Sequence, residues 1–450
     1  MAFHKIDSDS VNSITNQLDF FSIPPTDVSI SSAKVFEILT QNPVETPPYL
    51  FKIHSSDNYI DLTKCFLFTE FRIKKEGANG QLVDLGATDD VAPIQLIGNT
   101  FINNLKIAIN GREVFNSNSL MAYKSYLSHE LSFSPIAKFS HLEAAGYRYN
   151  GDRDSLETGN GFKLRKAQYN NSKIVQCMAK IDSDLFCQPK LLISHCGIEI
   201  TIQPNESKFL LISPTNVTKA ATGTTAAVPQ IKYHFEVVNC KLYIKKLSPI
   251  DGLALDIARK LEIKPATYAV RKTMLKSIFI SQGHYQMNAS LFLNQVPRRI
   301  TLGLVANKDF VGDYTRSPFN FQHFNVREIS ITSNGRTYPQ VSYDLDYKND
   351  KYIRAFTDMN INSGFANTLE GNGIGYEQFK KTHCIYIFNL TNSLEDQGGV
   401  FDLIKNGATE VGIKFAEPVP DGGIVLIVMA EMDAMFMVDK NRTISTDTTV

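Results

Sequence analysis

Tryptophan is absent from the sequence, and so is any surplus of charge: 46 Lys and Arg stand against 46 Asp and Glu. The second absence excludes more. A protein that wraps nucleic acid non-specifically needs excess cations to neutralise phosphates. Neither end carries a Lys/Arg-rich arm, and the first thirty residues hold Asp7, Asp9, Asp19 and Asp27 against Lys5 alone. Neither genome condensation nor direct sequence-specific contact with nucleic acid is expected. The missing Trp weakens a carbohydrate-binding reading, because sugar platforms are aromatic and often Trp, although 18 Tyr could substitute.

Cysteine is sparse. The six residues, Cys65, Cys177, Cys187, Cys196, Cys240 and Cys384, include no C-x-x-C pair. They read as reduced, mostly buried thiols of an intracellular protein rather than a disulfide framework. Cys177, Cys187 and Cys196 tempt a zinc reading, but spacings of ten and nine match no zinc motif. The nine His contain no H-x-H and no H-E-x-x-H. His129-Glu130 lacks a second His at 133, where Phe133 sits. No G-x-S-x-G elbow is present. Asp89-Asp90 and Asp182/Asp184 are expected to be solvated loop or turn carboxylates. Gly371-x-Gly373-x-Gly375 fits a tight turn better than a phosphate loop, since no strand–helix frame surrounds it. No catalytic, cofactor-binding or metal-binding residue is expected, and no cofactor.

Long hydrophobic runs are missing too. The longest covers residues 424–430 and is stopped by Glu431. That is strand length, short of the ~20 residues a membrane-spanning helix needs. The opening residues are polar rather than leader-like. No transmembrane segment is expected.

What is present is a repeat. Residues 105–126 read as a strand bearing Leu105, Ile107 and Ile109, an Asn110-Gly111 turn, and a return through Val114 and Phe115. Asn110-Gly111-Arg112 returns as Asn334-Gly335-Arg336, and Tyr123-Lys124 as Tyr347-Lys348, both at an offset of 224 (334 − 110 and 347 − 123). Gly159-Asn160-Gly161 is echoed by Gly371-Asn372-Gly373, here 212 apart (371 − 159). One β-rich unit is built twice.

Residues 1–47 read as an extended arm or, equally, as a frayed terminus. Residues 59–74 form the first strand; Phe66 and Phe68 share one phase, Phe71 and Ile73 the other, which predicts a bulge. Residues 119–134 suggest a short helix. Residues 172–202 supply strands, ending in Ile198, Ile200 and Ile202. Residues 213–230 are small and polar, a surface loop. Residues 231–245 change phase at Val238, predicting a second bend. Ser248-Pro249 reads as a helix start, with Leu253, Ile257 and Leu261 as its stripe and Pro265 as its end. Residues 274–281, 291–306, 384–390, 410–415 and 423–438 read as strands of the second unit, and 324–339 as its echoed hairpin. Many short strands and few helices predict an all-β chain of two tandem eight-stranded jelly rolls with a short connecting helix.

Particular residues then carry a resemblance. Gln295-Val296-Pro297-Arg298-Arg299, Gly303-Leu304-Val305 and Pro318-Phe319-Asn320-Phe321 resemble the double jelly-roll major capsid proteins of Polinton/Maverick elements and adintoviruses, of the adenovirus-like lineage. Phe388-Asn389-Leu390-Thr391 stands where that family tends to show Phe-Asp-Leu-Thr, so Asn389 departs from it. Ala430-Glu431-Met432-Asp433 and Asp439-Lys440-Asn441-Arg442 resemble its closing strand. In the first unit, residues 57–62, Asn110-Gly111, Asp184-Leu185-Phe186 and Gln188 are the points of contact. The resemblance spans residues 50–440. It implies an arm at 1–47, a first roll at 48–246, a connector helix at 247–268, a second roll at 269–440 and a tail at 441–450. It further implies a homotrimeric, pseudo-hexagonal capsomer of an icosahedral shell, a virion component assembled in the host cell, in the nucleus. Its partners would be neighbouring capsomers and minor or penton capsid proteins, with no enzymatic activity. The alternative is a double β-sandwich enzyme or glycan-binding protein on the same fold.

Overall fold

The computed structural model describes residues 7–77, 79–151, 155–218, 229–365, 368–391 and 406–447. The first unit is built from β1 (Ile30–Leu39), β2 (Tyr49–Ile53), β3 (Tyr59–Glu76), β4 (Ile102–Ile109), β5 (Arg112–Asn116), β6 (Val175–Lys180), β7 (Ile198–Pro204) and β8 (Tyr233–Pro249). The second is built from β9 (Ala266–Ile280), β10 (Gln286–Phe292), β11 (Arg299–Ala306), β12 (Val326–Ser333), β13 (Arg336–Tyr338), β14 (Ile385–Asn389), β15 (Thr409–Phe415) and β16 (Ile424–Val438). Helices α1 (Met121–Ser132) and α2 (Asn160–Tyr169) lie between β5 and β6. Helix α3 (Asp251–Ile263) joins the units, and α4 (Ile353–Asn362) and α5 (Tyr376–Lys381) lie between β13 and β14.

The sheets of the first unit run β1-β8-β3-β6 and β2-β7-β4-β5; those of the second run β9-β16-β11-β14 and β10-β15-β12-β13. The same strand order is laid down twice. Asn110 (φ 48°) and Gly111 (φ 78°) turn β4 into β5, and Asn334 (φ 47°) and Gly335 (φ 73°) turn β12 into β13. Positive φ at both central residues is the tight hairpin turn that Asn-Gly favours, and the two turns are topologically equivalent. The second landmark is less strict: Tyr123 lies in α1, whereas Tyr347 opens a 3-10 turn ahead of α4.

Alternation sets which faces are covered. Along β7, Ile198, Ile200 and Ile202 are buried and Glu199 points out. Strand β16 differs, because Ile424 to Ala430 are all buried. It is central between β9 and β11, and α1 of the first unit lies on its other face, with Ser128 against Met429. A strand covered on both sides reads as a continuous apolar run, which accounts for the longest such run in the chain. One apolar core is continuous through both units.

Several expectations need correction. Residues 30–39, read as arm, form β1, paired along β8 from Ile30–Pro249 to Leu39–Lys241. The first unit therefore begins before residue 48. Between Phe68 and Phe71 strand β3 shows no phase slip: Cys65, Leu67, Thr69, Phe71 and Ile73 are buried in unbroken alternation, and Phe66 and Phe68 take the other face. Its slip comes earlier, between Leu62 and Cys65, both buried, where the pairing with β8 shifts between Tyr243 and Lys245. A second bulge lies on β8, between Val237 and Asn239, where the change of phase at Val238 places it. Ser248 and Pro249 end β8 rather than opening a helix; the Ser248 hydroxyl donates to Asn58 Oδ1 at 2.7 Å, and Ile250 precedes α3. Residues 291–306 are two strands, not one. Within the tail, Ile444–Asp447 adds a strand to β16. Most of the 213–230 loop lies outside the described residues; its neck is closed where Asn216 and Ile231 bond reciprocally.

Candidate functional site

Two kinds of place could carry function: the seam between the units and the surfaces left open at their edges. At the seam, α1 presents Tyr123 and Tyr126 to the segment following β11. Tyr126 stacks on Phe319 at 4.1 Å and Tyr123 on Phe310 at 5.7 Å. Tyr123 also donates to the Pro318 carbonyl at 3.2 Å. Pro318 to Phe321 is the segment that carried the resemblance, and its role here is to receive α1. A Cβ at Gly303 would run into the Phe321 ring, so Gly303 is tied to the same contact.

Polar groups cross the seam beneath these rings. Lys138 donates to Glu130 Oε2 at 2.6 Å and, across the seam, to the Asn372 carbonyl at 2.7 Å. Tyr147 donates to Glu130 Oε1 at 2.7 Å. Glu130 and Lys138 are both buried. Burial alone would raise the Glu130 carboxyl, but the Lys138 ammonium, with hydrogen bonds from Lys138 and Tyr147, holds it below its ordinary value. Tyr126 Oη lies 2.9 Å from His383 Nε2, and His383 Nδ1 lies 2.8 Å from Thr382 Oγ1. Burial pushes His383 down to about 4, so the ring is neutral at pH 7.

A second crossing uses the Asp pair. Lys124 contacts Asp182 Oδ1 at 3.0 Å and Asp184 Oδ1 at 3.5 Å. Asp184 then accepts from the Thr273 amide at 2.7 Å and its hydroxyl at 2.9 Å, on β9 of the other unit. Asp182 is buried, which would raise it, yet the Lys124 ammonium brings it down to about 2. The expectation of solvated carboxylates is wrong here. Asp89 and Asp90 are paired as well, with Lys75 and Lys166, each at 2.6 Å.

The other sequence candidates do not converge. Cys65, Cys177, Cys196, Cys240 and Cys384 are buried free thiols, and Cys187 is exposed. The His129 ring is half-buried and lies 2.7 Å from the Ser125 carbonyl. Among the described residues, no group of three or more His, Cys, Asp or Glu could hold a metal ion. The Gly371–Gly373 turn serves the Lys138 crossing. Sequence reasoning missed Lys124, Lys138, Tyr147 and His383. Their contacts lie up to 257 residues away in the chain, and no local pattern announces them.

Two depressions open at the ends of the units. One, of about 420 Å³, lies under α3 and is lined by Tyr59, Ile193, Leu247, Leu253, Ile257 and Tyr268 among others. The second, of about 600 Å³, is polar and includes Lys52, His54, Arg112, His195, Glu199 and Arg442. There the tail ties to the first hairpin: Asn110 Nδ2 donates to the Arg442 carbonyl at 2.9 Å and Arg112 to the Ile444 carbonyl at 2.5 Å.

No family model matches the chain. An uncharacterized protein of Caenorhabditis elegans is 28% identical over 431 residues, covering 93% of this chain and 98% of that protein. Among solved structures, a chain of the Sputnik virophage matches with a TM-score of 0.64 at 11% identity, over 100% of this chain and 95% of that one. The mavirus major capsid protein matches at 0.54 and 11%, over 100% and 97%. The Faustovirus major capsid protein matches at 0.54 and 11%, over 93% and 92%. The fold is the double jelly roll. Both rolls are thus accounted for by strand order and by whole-length likeness. The seam is where the two rolls of one chain are joined, and the surfaces beyond it face whatever lies outside.

Proposed function

We propose that this double jelly-roll chain is the major building block of a protein shell. The observation that carries the reading is the repeated strand order, two equivalent rolls locked by a buried seam. It is joined by a fold likeness to capsid proteins that runs the full length of the chain. Three such chains around a threefold axis would place six similar rolls in a near-hexagon, a shape that tiles a surface. On this reading the chain is a homotrimeric capsomer of an icosahedral DNA virus or virus-like transposon of the Polinton/adintovirus type. It would be located in the virion and contact neighbouring capsomers and minor or penton proteins. The near-full-length nematode relative favours an element carried in animal genomes. The buried polar groups fit the reading too, since they are spent on joining the rolls rather than opened to a substrate.

The test is light scattering of the expressed chain followed by electron microscopy. A mass near 151 kDa (3 × 50.4 kDa) and closed particles are expected. Monomers that never form particles, yet bind a small molecule or glycan specifically, would overturn it.

A further inference from the structure

The apolar side of α3 is underused by its own chain. Leu261 alone is buried along the helix, while Leu253 and Ile257 line the 420 Å³ depression, over Tyr59, Ile193, Leu247 and Tyr268. Ser29 and Ile30 stand at its rim, so the N-terminal segment leaves the body at this place. That segment carries large apolar side chains into water: Val11, Ile14, Leu18, Phe20, Phe21 and Ile23 are all exposed, Phe21 by 94%. Hydrogen bonds such as Leu18 to Thr15 and Ser22 to Asp19 link near neighbours within residues 7–28, and the tie to the body is at Ser29, whose carbonyl accepts from the Ile250 amide at 3.1 Å. A run of exposed apolar residues marks an interaction surface, and an open apolar hollow does the same. The charges match as well. Residues 7–29 contain Asp7, Asp9, Asp19 and Asp27 and no Lys or Arg; the depression is lined by Lys190 and Lys264 and no acidic residue.

We propose that this depression is a socket for the N-terminal segment of a second copy of the chain. Phe20, Phe21 and Ile23 would seat against Leu253, Ile257 and Tyr268, with Asp19 and Asp27 meeting Lys264 and Lys190. The chain's own segment is a poor occupant. Phe20 to Ile23 are separated from the rim by Pro24-Pro25, which hold the backbone extended, and residues 23–28 make no turn. An extended exit carries the aromatic pair outward, toward a neighbour. The inference rests on the shell reading only in requiring copies to stand side by side.

The test uses two full-length chains of different tag size, each with Cys187→Ser to remove the exposed thiol. One carries Phe21→Cys and the other Leu253→Cys; they are mixed, allowed to assemble and oxidised. A disulfide-linked heterodimer is expected. Adding Phe20→Ser and Ile23→Ser should lower its yield about tenfold or more, since each removes buried apolar area. A chain bearing both cysteines that closes only within itself would overturn the socket, as would the absence of any product. Electron microscopy of the same samples separates the two claims. Shells without the intermolecular disulfide sink the socket alone, whereas linked dimers without shells uphold the socket and sink the shell.

Discussion

Gly111 and Gly335 illustrate how a single residue type can be dictated by backbone alone. A Cβ at either would meet nothing within 4 Å, yet both sit at positive φ. Substitution there meets torsional strain rather than a clash. Gly111→Val and Gly335→Val should each cost about 1–2 kcal/mol, because L-residues disfavour the left-handed region and β-branched ones most. Thermal unfolding should show a lower midpoint for both; wild-type stability would contradict the turn geometry. The seam residues behave oppositely, since their contacts decide everything. Lys138→Met would leave Glu130 buried without its cation, a loss of about 3–5 kcal/mol, readable as a lower denaturation midpoint. His383 adds a pH dependence. Its folded value is about 4 against an ordinary 6.5, so below pH 6.5 the unfolded chain takes up a proton that the folded chain refuses. Stability is full above pH 6.5 and falls as the pH drops from there toward 4. The difference of 2.5, at 1.36 kcal/mol per pH unit, bounds the loss at about 3 kcal/mol. Glu130, held low, adds its own loss only further down, as the pH passes below its ordinary 4.5. Unfolding curves from pH 7.5 to 4.5 should therefore slope downward, and His383→Gln should make the slope between 6.5 and 4.5 shallower, the remainder coming from His323, which burial also brings down to about 4, and from His129, which burial lowers.

Elements were legible where one face is wet and the other dry. Strands β3, β4, β7, β12 and β15 announce themselves by alternation, and the two Asn-Gly turns by chemistry. Strand β1 does not, because nearly all of its residues are exposed at a sheet edge, leaving no buried face to impose a pattern. Helix α3 was placed three residues early: Ser248-Pro249 looks like a cap and first turn, but sheet pairing with Ile30 and the bond to Asn58 hold it extended. Tertiary pairing overrode local propensity there. The candidate site was less legible than the fold. Glu130 and Lys138 read as ordinary polar residues until the second roll supplies the Asn372 carbonyl. The β1 assignment has a direct consequence. Removing residues up to 28 should leave the melting midpoint within about 2 °C of the full chain, since residues 7–28 are exposed. Removing residues up to 39 strips β8 of its edge partner and should lower the midpoint by more than about 5 °C or abolish soluble expression. Equal stability of the two truncations would mean that β1 contributes nothing to the roll.

At the scale of the whole molecule, the balance of charge decides what a shell built from this chain, as proposed, would hold unaided. Binding to nucleic acid grows with the number of phosphates that Lys and Arg neutralise, and each released counterion adds to it. Here 46 cationic side chains face 46 anionic ones, and many are already committed to one another, including the buried Lys138–Glu130 and Lys124–Asp182 pairs. The polar depression near the first hairpin gathers Lys52, Arg112 and Arg442, but Lys52 pairs with Glu199 at 2.9 Å and Arg112 and Arg442 donate to backbone carbonyls. A neutral chain with its cations so committed offers few phosphate contacts, and binding through such contacts weakens steeply as salt rises toward physiological concentration. Shells formed from this chain alone at ~150 mM salt, a Debye length of about 8 Å, should therefore be empty. After nuclease treatment, their absorbance ratio at 260 and 280 nm should be that of protein. Packaging would then need a separate cationic factor, and adding a Lys/Arg-rich protein during assembly should raise the ratio. Nucleic acid retained inside shells of the chain alone would show that its cations are concentrated on the inner face strongly enough to defeat a neutral total.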